Sequence, residues 1–517
     1  MAKFKILWAD DEIDLLKPHI LFLIEKGYEI TSVKSGADAL EKIEEENFDL
    51  VFLDENMPGM TGLETLTQIK TSNPSLPVVM ITKSEEEQIM EDAIGSKIAD
   101  YLIKPLNPNQ ILLSAKKILD NQRIISEKTN LNYQQEFAKL SMQLQDDLDH
   151  EEWVELYKKL IYWDLQIDAS EDKSMSEVLE MQKTEANQKF CSYIGDNYKV
   201  WLNEPHTDRP LLSHQVLESK VLPLAGEKPT IVIVIDNLRM DQWYMLEPDI
   251  LRLFDMRERT HYYSILPTTT AYARNSLFSG LMPSEIQKKY PQFWIGEDSE
   301  EKKNQYEAEL IGKLLERSRM DIRYTYHKVI QARDGKNLLE KINTVVDNPL
   351  TAIVFNFVDM LSHARTDMQM IRQLAPDESA YRALTRTWFA HSSLYDILRK
   401  LAEKDVNVVI TTDHGTIRVK NPEKIIGDRK TNTNLRFKQG RNLNFDEKRV
   451  FHSRKPELLH LPALNVSTSY AFAVENQFFA YPNNFNYYAN YYRDTFQHGG
   501  VSLEEMIVPL VFLSTKP

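Results

Sequence analysis

The chain has 517 residues, of which 42% are hydrophobic and 27% charged, a composition that suits a folded protein and leaves little for a long disordered tail. At roughly 100 to 200 residues per domain, that length predicts about three domains. The 62 basic and 77 acidic residues give a net charge of −15, which argues against broad electrostatic capture of duplex nucleic acid.

The N-terminus, MAKFKILWADDE, lacks the basic region, apolar run and small-residue cleavage site of a signal peptide. No stretch approaches the ~18 apolar residues of a membrane span, so the sequence predicts a cytoplasmic protein without membrane insertion. Residues 1–120 alternate strand-like runs with amphipathic stretches: KILWA, Asp14 to Glu25, YEITSV, Ala37 to Glu45, LVFLD, Leu63 to Lys70, VVMIT, DYLIK and Gln110 to Leu119. This predicts a flavodoxin-like α/β domain, a five-stranded parallel sheet with helices on both faces. Between Pro108 and Pro205 there is no proline and only one glycine, Gly195, and residues 121–225 read as a central α-helical bundle that serves as a spacer. At IVIVID a second, larger α/β domain begins, and residues 226–517 carry strands alternating with helices through AIVFNFVD and VNVVITTDHG. Basic and acidic residues number 12 and 22 in 1–120, 11 and 19 in 121–225, and 39 and 36 in 226–517, so the last region tolerates an anionic substrate.

In the first domain Asp10 and Asp11 follow the first strand, Asp54 ends the third, Thr82 the fourth, and Lys104-Pro105 the fifth. All project from the carboxyl ends of parallel strands, where open α/β sheets place their sites. Clustered carboxylates repel one another unless a hard cation lies between them, and Mg²⁺ suits a few carboxylates plus waters. Asp54 can then accept a phosphoryl group, with Lys104 offsetting its charge and Thr82 donating a hydrogen bond. Singly, each is as easily a cap or turn residue. Together, with LVFLDENMPGMTG around Asp54 and with Tyr101, they resemble the receiver domain of two-component response regulators. The resemblance implies phosphorylation of Asp54 by a sensor histidine kinase, Mg²⁺ at Asp10, Asp11, Asp54 and the Asn56 carbonyl, and a Thr82/Tyr101 rearrangement that alters a dimerisation face.

A DNA-binding output module is the common companion of such a domain, but no duplex-binding motif is visible. Strand ends of the C-terminal domain instead carry Asp236, the D-x-x-x-H pair Asp359 and His363, Asp413-His414-Gly415, and His498-Gly499-Gly500, with Thr270 in LPTTTAYARNSLFSG. The single cysteine, Cys191, excludes a thiolate cluster, and imidazole with carboxylate suits catalytic Zn²⁺ or Mn²⁺. One helical turn separates Asp359 from His363, which lets them share an ion. Any one such histidine is more often an ordinary polar residue; five motifs at the active edge of one sheet favour a site. Arg274 and Asn275, one turn beyond Thr270, are read equally as phosphate contacts or as packing. Arg429, Lys430, Arg436, Lys438 and Arg441 read as a solvated surface, with a lid over an anionic substrate as the minority reading. The Tyr-rich 487–492 reads as strand or core, with base stacking as the alternative.

These motifs resemble the alkaline phosphatase superfamily, in particular its nucleotide pyrophosphatase/phosphodiesterase-like and PglZ-like members. The resemblance implies a doubly wound domain with two Zn²⁺, one held by Asp236, Asp413 and His414 and the other by Asp359, His363 and His498, with Thr270 as metal-activated nucleophile. The whole arrangement is similar to PorX-type response regulators, which implies a part in type IX secretion. The sequence-based expectation is a phosphorylation-controlled, zinc-dependent phosphodiesterase acting on nucleotides or oligonucleotides, and phosphorylation favouring a homodimer. The alternative is a non-catalytic regulator that binds a sigma factor or a secretion component, with the metal domain as scaffold.

Overall fold

A computed structural model describes residues 4–516 apart from 74–75, 84–97, 171, 205–207, 298, 300, 302 and 429–430, and gives the backbone alone at 120–127. The chain divides into two compact units, residues 1–135 with 169–175, and residues 136–168 with 176–517.

The first unit carries the expected parallel sheet of β1 (Lys5–Ala9), β2 (Glu29–Val33), β3 (Leu50–Asp54), β4 (Val78–Thr82) and β5 (Asp100–Ile103), ordered β2-β1-β3-β4-β5. Strands β3 and β4 are apolar up to their last residues, Asp54 and Thr82, and wholly buried because helices cover both faces of a parallel sheet. The two-residue period divides β1 between two cores, Leu7 and Ala9 on one face, Ile6 and Trp8 on the other. Ser35 caps α1 (Gly36–Glu45), and a Thr61/Glu64 capping box starts α2 (Gly62–Ser72).

The expected boundary after residue 120 falls inside one helix, Pro108–Gln143. Two further helices follow, His150–Asp168 and Ser176–Asn203. They supply the helical middle region that the sequence predicts. Both belong to the second unit, where Trp153, Phe190, Tyr193 and Trp201 gather around Tyr263 of the sheet domain, with the Trp201 and Tyr263 ring centres 5.6 Å apart. An amphipathic face specifies burial and not its partner.

The sheet of the second unit contains β6 (Thr230–Ile235), β7 (Phe254–Tyr263), β8 (Tyr324–Val329), β9 (Leu350–Phe355), β10 (Asn407–Thr411) and β11 (Ile507–Thr515), ordered β7-β11-β10-β6-β9-β8. Four strands are parallel, as in a doubly wound sheet, whereas β11 and β7 pair antiparallel at one edge. Alternate residues of β6 enter opposite cores: Ile231, Ile233 and Ile235 on one face, Val232 and Val234 on the other. A three-stranded sheet of Phe437–Arg441, Thr468–Ala473 and Val450–Ser453 is inserted between β10 and β11.

Two surface readings are corrected. Arg436 and Lys438 are buried: Arg436 pairs with Glu505 at 2.5 Å, and Lys438 donates to the Asn432 carbonyl at 2.9 Å. Arg441 is exposed, and Arg429 and Lys430 lie outside the described residues. The tyrosine run is neither strand nor core but a helix, Phe485–Tyr492, with Tyr487 and Tyr488 exposed.

Candidate metal and phosphoryl-transfer centres

At the carboxyl edge of the first sheet, oxygens of Asp10, Asp11 and Asp54 lie within 4.8 Å of one another. Lys104 Nζ sits 2.8 Å from Asp10 Oδ2 and 2.7 Å from Asp54 Oδ1, and the Asn56 amide donates to Asp54 Oδ2 at 3.1 Å. Burial raises the Asp54 carboxyl; Lys104 opposes, the Asp10 charge adds, and the net direction is upward. Burial likewise disfavours the Lys104 ammonium, but its two carboxylates outweigh this and move it up. Thr82 is buried at the end of β4, and Tyr101 packs partly buried against the core that contains Met80. The acidic set fits Mg²⁺ by its oxygen-only donors.

In the second sheet, Asp236 ends β6, and Asp413-His414 follows β10. Asp359 and His363 lie on the helix Phe357–Asp367 after β9, and His498 lies on the loop that leads into β11. These elements bring the residues into two sets, Asp236/Asp413/His414 and Asp359/His363/His498, each with its ligand atoms within 4.8 Å of one another. The His414 and His498 rings stack at 4.4 Å and join the sets. His363 Nε2 is 3.6 Å from Asp359 Oδ2, so the one-turn spacing does place both on one face. Thr270 Oγ1 lies 3.2 Å from Asp236 Oδ1 and 3.3 Å from His414 Nε2.

Backbone carbonyls set the tautomers. His414 Nδ1 faces Gly415 O at 3.1 Å and His498 Nδ1 faces Thr268 O at 3.2 Å; a carbonyl only accepts, so both Nδ1 carry hydrogen and Nε2 points into the site. Burial pushes His414 down to about 4, which keeps its ring neutral at pH 7. Burial drives Asp236 well up; Arg274 opposes this, and the Asp413 and Asp359 charges add to it. Burial also disfavours the charge of Asp359, but the His498 hydrogen bond holds it well below the usual carboxylate range. Asp413 Oδ2 is buried without a hydrogen-bond partner, the Arg274 guanidinium lying 3.5 Å away, so it keeps acceptor capacity for a cation. Imidazole and carboxylate donors, neutral His414 and this orphaned oxygen fit a divalent transition metal.

Arg274 does not face the opening. Its guanidinium is fully buried, with Nη1 2.6 Å from Asp236 Oδ2 and Nε donating to Glu307 at 2.6 Å. Asn275 Nδ2 donates to the Ala271 and Lys303 carbonyls, so its amide group braces the helix turn. Two neighbours escaped the sequence reading. Asn237 donates from its amide to Asp413 Oδ1 and from its side chain to Asp359 Oδ1, both at 3.3 Å, and so bridges the two sets. Asn356 Nδ2 donates to Asp236 Oδ2 at 2.9 Å. Asn237 has φ +66°, a left-handed conformation that asparagine tolerates better than most residues, and that preference was the available signal.

Comparison with known proteins agrees with this layout. Residues 6–116 match the response regulator receiver domain model, 123–202 the PorX response regulator linker domain, and 216–513 the BREX system PglZ alkaline phosphatase-like domain. The "Transcriptional regulatory protein ZraR" of Klebsiella oxytoca is 39% identical over 119 residues, 23% of this chain and 27% of that protein. The "Transcriptional regulatory protein ResD" of Bacillus subtilis (strain 168) is 33% identical over 115 residues, 22% of this chain and 48% of that protein. The chain thus spans about a quarter to a half of the length of these relatives. A CheY-like receiver structure from Methanospirillum hungatei JF-1 is 29% identical and covers 24% of this chain and 98% of its own, with a TM-score of 0.23. Among the described residues no helix is long and apolar enough to cross a membrane.

Proposed function

Since this chain belongs to the PglZ alkaline phosphatase-like family, in the PorX-type arrangement of receiver, linker and phosphatase-like domain, we propose that it is a response regulator whose effector is a zinc phosphodiesterase. Asp54 is the phosphoacceptor, a sensor histidine kinase the donor, and a nucleotide or oligonucleotide phosphodiester the substrate. The biological setting is regulation of type IX secretion.

The observation that carries the reading is the position of the Thr270 hydroxyl, 3.2 Å from Asp236 Oδ1 and 3.3 Å from His414 Nε2 and adjoining the joined donor sets. Asp236, Asp413 and His414 would hold one Zn²⁺, and Asp359, His363 and His498 the other. Bound ions supply Lewis-acid stabilisation of charge on the phosphoryl oxygens. Asp236 Oδ1 accepts the Thr270 hydroxyl hydrogen bond and holds Oγ1 toward the opening. Thr270 Oγ1 gives up its proton to solvent and forms a bond to phosphorus as the ester P–O bond breaks and the leaving oxygen takes up a proton; water then hydrolyses the Thr270 phosphoester, restoring the hydroxyl and releasing the phosphate product. His414 and His498 keep their Nε2 atoms directed inward through their Nδ1 hydrogen bonds.

Hydrolysis of a chromogenic phosphodiester with added Zn²⁺ tests the assignment. Thr270→Ala is expected to lose turnover by roughly a thousandfold or more while keeping its metal; undiminished activity in that variant, or after complete metal removal, overturns it.

A further inference from the structure

The helix Ser176–Asn203 of the linker hydrogen-bonds directly to two loops of the metal site. Tyr198 is fully buried, and its hydroxyl accepts the Leu266 N–H at 2.8 Å, four residues before Thr270. Asn187, also buried, accepts the Leu503 N–H at 2.9 Å through Oδ1 and donates through Nδ2 to the Glu504 carboxylate at 3.0 and 3.2 Å. Cys191 Sγ donates to the Val501 carbonyl at 3.2 Å.

These anchors reach the ligands through few bonds. Glu505, next to Glu504, accepts the Gly500 N–H at 2.9 Å on its side chain and the Gly415 N–H at 3.1 Å on its carbonyl, so it grips the residues that follow His498 and His414. Gly415 packs so closely that a Cβ there would lie 1.9 Å from the Glu504 carbonyl. Thr268 joins the two loops: its hydroxyl accepts the Gly499 N–H at 3.0 Å and donates to Gly500 O at 2.9 Å, and its carbonyl orients His498. A further contact is ionic. Lys183 lies 3.1 Å from Asp164 and 3.3 Å from Glu378, which in turn reaches Arg239, three residues after Asp236. A linker that only spaces domains has no need for buried polar groups matched one by one to the backbone of these loops, because each would be costly without its partner.

We infer that Asn187 and Tyr198 of the linker are positioning residues for the metal site, Asn187 setting the His498 loop and Tyr198 the Thr270 loop. The inference rests on the proposed zinc phosphodiesterase, and it makes the linker part of the catalytic apparatus. Tyr198→Phe removes one oxygen and keeps the ring packing, while Asn187→Ala frees Leu503 and Glu504.

The test uses the full chain, loaded in zinc buffer, with bound zinc counted by atomic emission and turnover measured on the chromogenic phosphodiester. Ser392→Ala is the control: it removes the N-cap of the helix Ser393–Leu401, which carries none of the clustered donors, at a comparable cost in stability. Tyr198→Phe is expected to keep full zinc and KM within about twofold while kcat falls roughly tenfold to a hundredfold, the scale of a sub-ångström to ångström misplacement. Asn187→Ala is expected to retain about half the zinc of the wild type after dialysis, and the control to match the wild type in both readouts. Wild-type zinc and wild-type kcat in both linker variants overturn the inference. If the wild type cleaves no phosphodiester, the proposed reaction fails while the zinc count of Asn187→Ala still decides the linker's role.

Discussion

Arg274 Nη1 lies 2.6 Å from Asp236 Oδ2, whereas the other oxygen of that carboxylate faces Thr270 at 3.2 Å. One carboxylate is thereby divided between a fixed internal cation and the Thr270 hydroxyl. The guanidinium is held in turn by Glu307, which also accepts from Tyr326 and Lys328. Arg274→Met leaves Asp236 and Glu307 buried without their shared cation and is expected to cost about 3–5 kcal/mol of stability in the metal-free protein. The double variant Arg274→Met/Glu307→Leu removes one of the two buried acids, leaving Asp236 as the one without its cation, and is expected to recover part of the loss. Denaturant titrations of the three proteins check this; a cost under about 1 kcal/mol for Arg274→Met would contradict the pairing.

The difference between Arg274 and the clustered carboxylates and imidazoles shows what the sequence could reveal. Asp236, Asp359, Asp413, His414 and His498 were legible because residue type and a place beyond a strand end together restrict them to the active edge. Arg274 sits one turn past Thr270, but its spacing does not say whether the guanidinium turns toward the opening or back onto Glu307. Asn237 and Asn356 were missed because a neutral amide that orients a carboxylate leaves no motif. The helix Ser176–Asn203 was recognised as a helix from its lack of proline, yet nothing in its pattern named the Leu266 and Leu503 amides as partners of Tyr198 and Asn187. The antiparallel edge of β11 and β7 was hidden for a related reason: an apolar run records burial and not direction.

The contact of Lys104 Nζ with both Asp10 and Asp54 makes the receiver site a balance of one cation against two buried acids. Incubation with a small phosphodonor such as acetyl phosphate and Mg²⁺ is expected to label the wild type, and Asp54→Asn or a chelator to abolish the label. Undiminished labelling of Asp54→Asn, read by phosphate-affinity electrophoresis, would rule out Asp54 as the acceptor. Lys104→Ala is expected to be labelled more slowly, because it removes the charge that offsets a new phosphoryl group.

Phosphoryl transfer to Asp54 is expected to favour a dimer through the receiver face that bears Tyr101 and Lys104. Beryllofluoride with Mg²⁺ imitates the phosphorylated aspartate, and light scattering should then report about twice the monomer mass. A mass that stays at the monomer value with the analogue bound removes the dimer proposal.

Two histidines outside the clustered donor sets give stability a pH dependence. Burial pushes His214 down to about 4, with the nearby Arg209 and His460 charges adding and Glu285 opposing. His261 is likewise pushed down to about 4 by burial, with Lys158 and His150 adding and Glu155 opposing. In the unfolded chain a histidine takes up its proton near pH 6.5. Between pH 6.5 and about 4 the unfolded state therefore binds more protons than the folded state, and stability rises with pH across that window. Above it the contribution is flat, and on acidification it is lost. From pH 7.5 to 5 each histidine should remove about 2 kcal/mol. His214→Gln has no such proton to take up, so its melting temperature, measured with a chelator present, should fall less than that of the wild type over this range. Parallel falls for the two proteins would show that His214 titrates as freely in the folded chain as in the unfolded one.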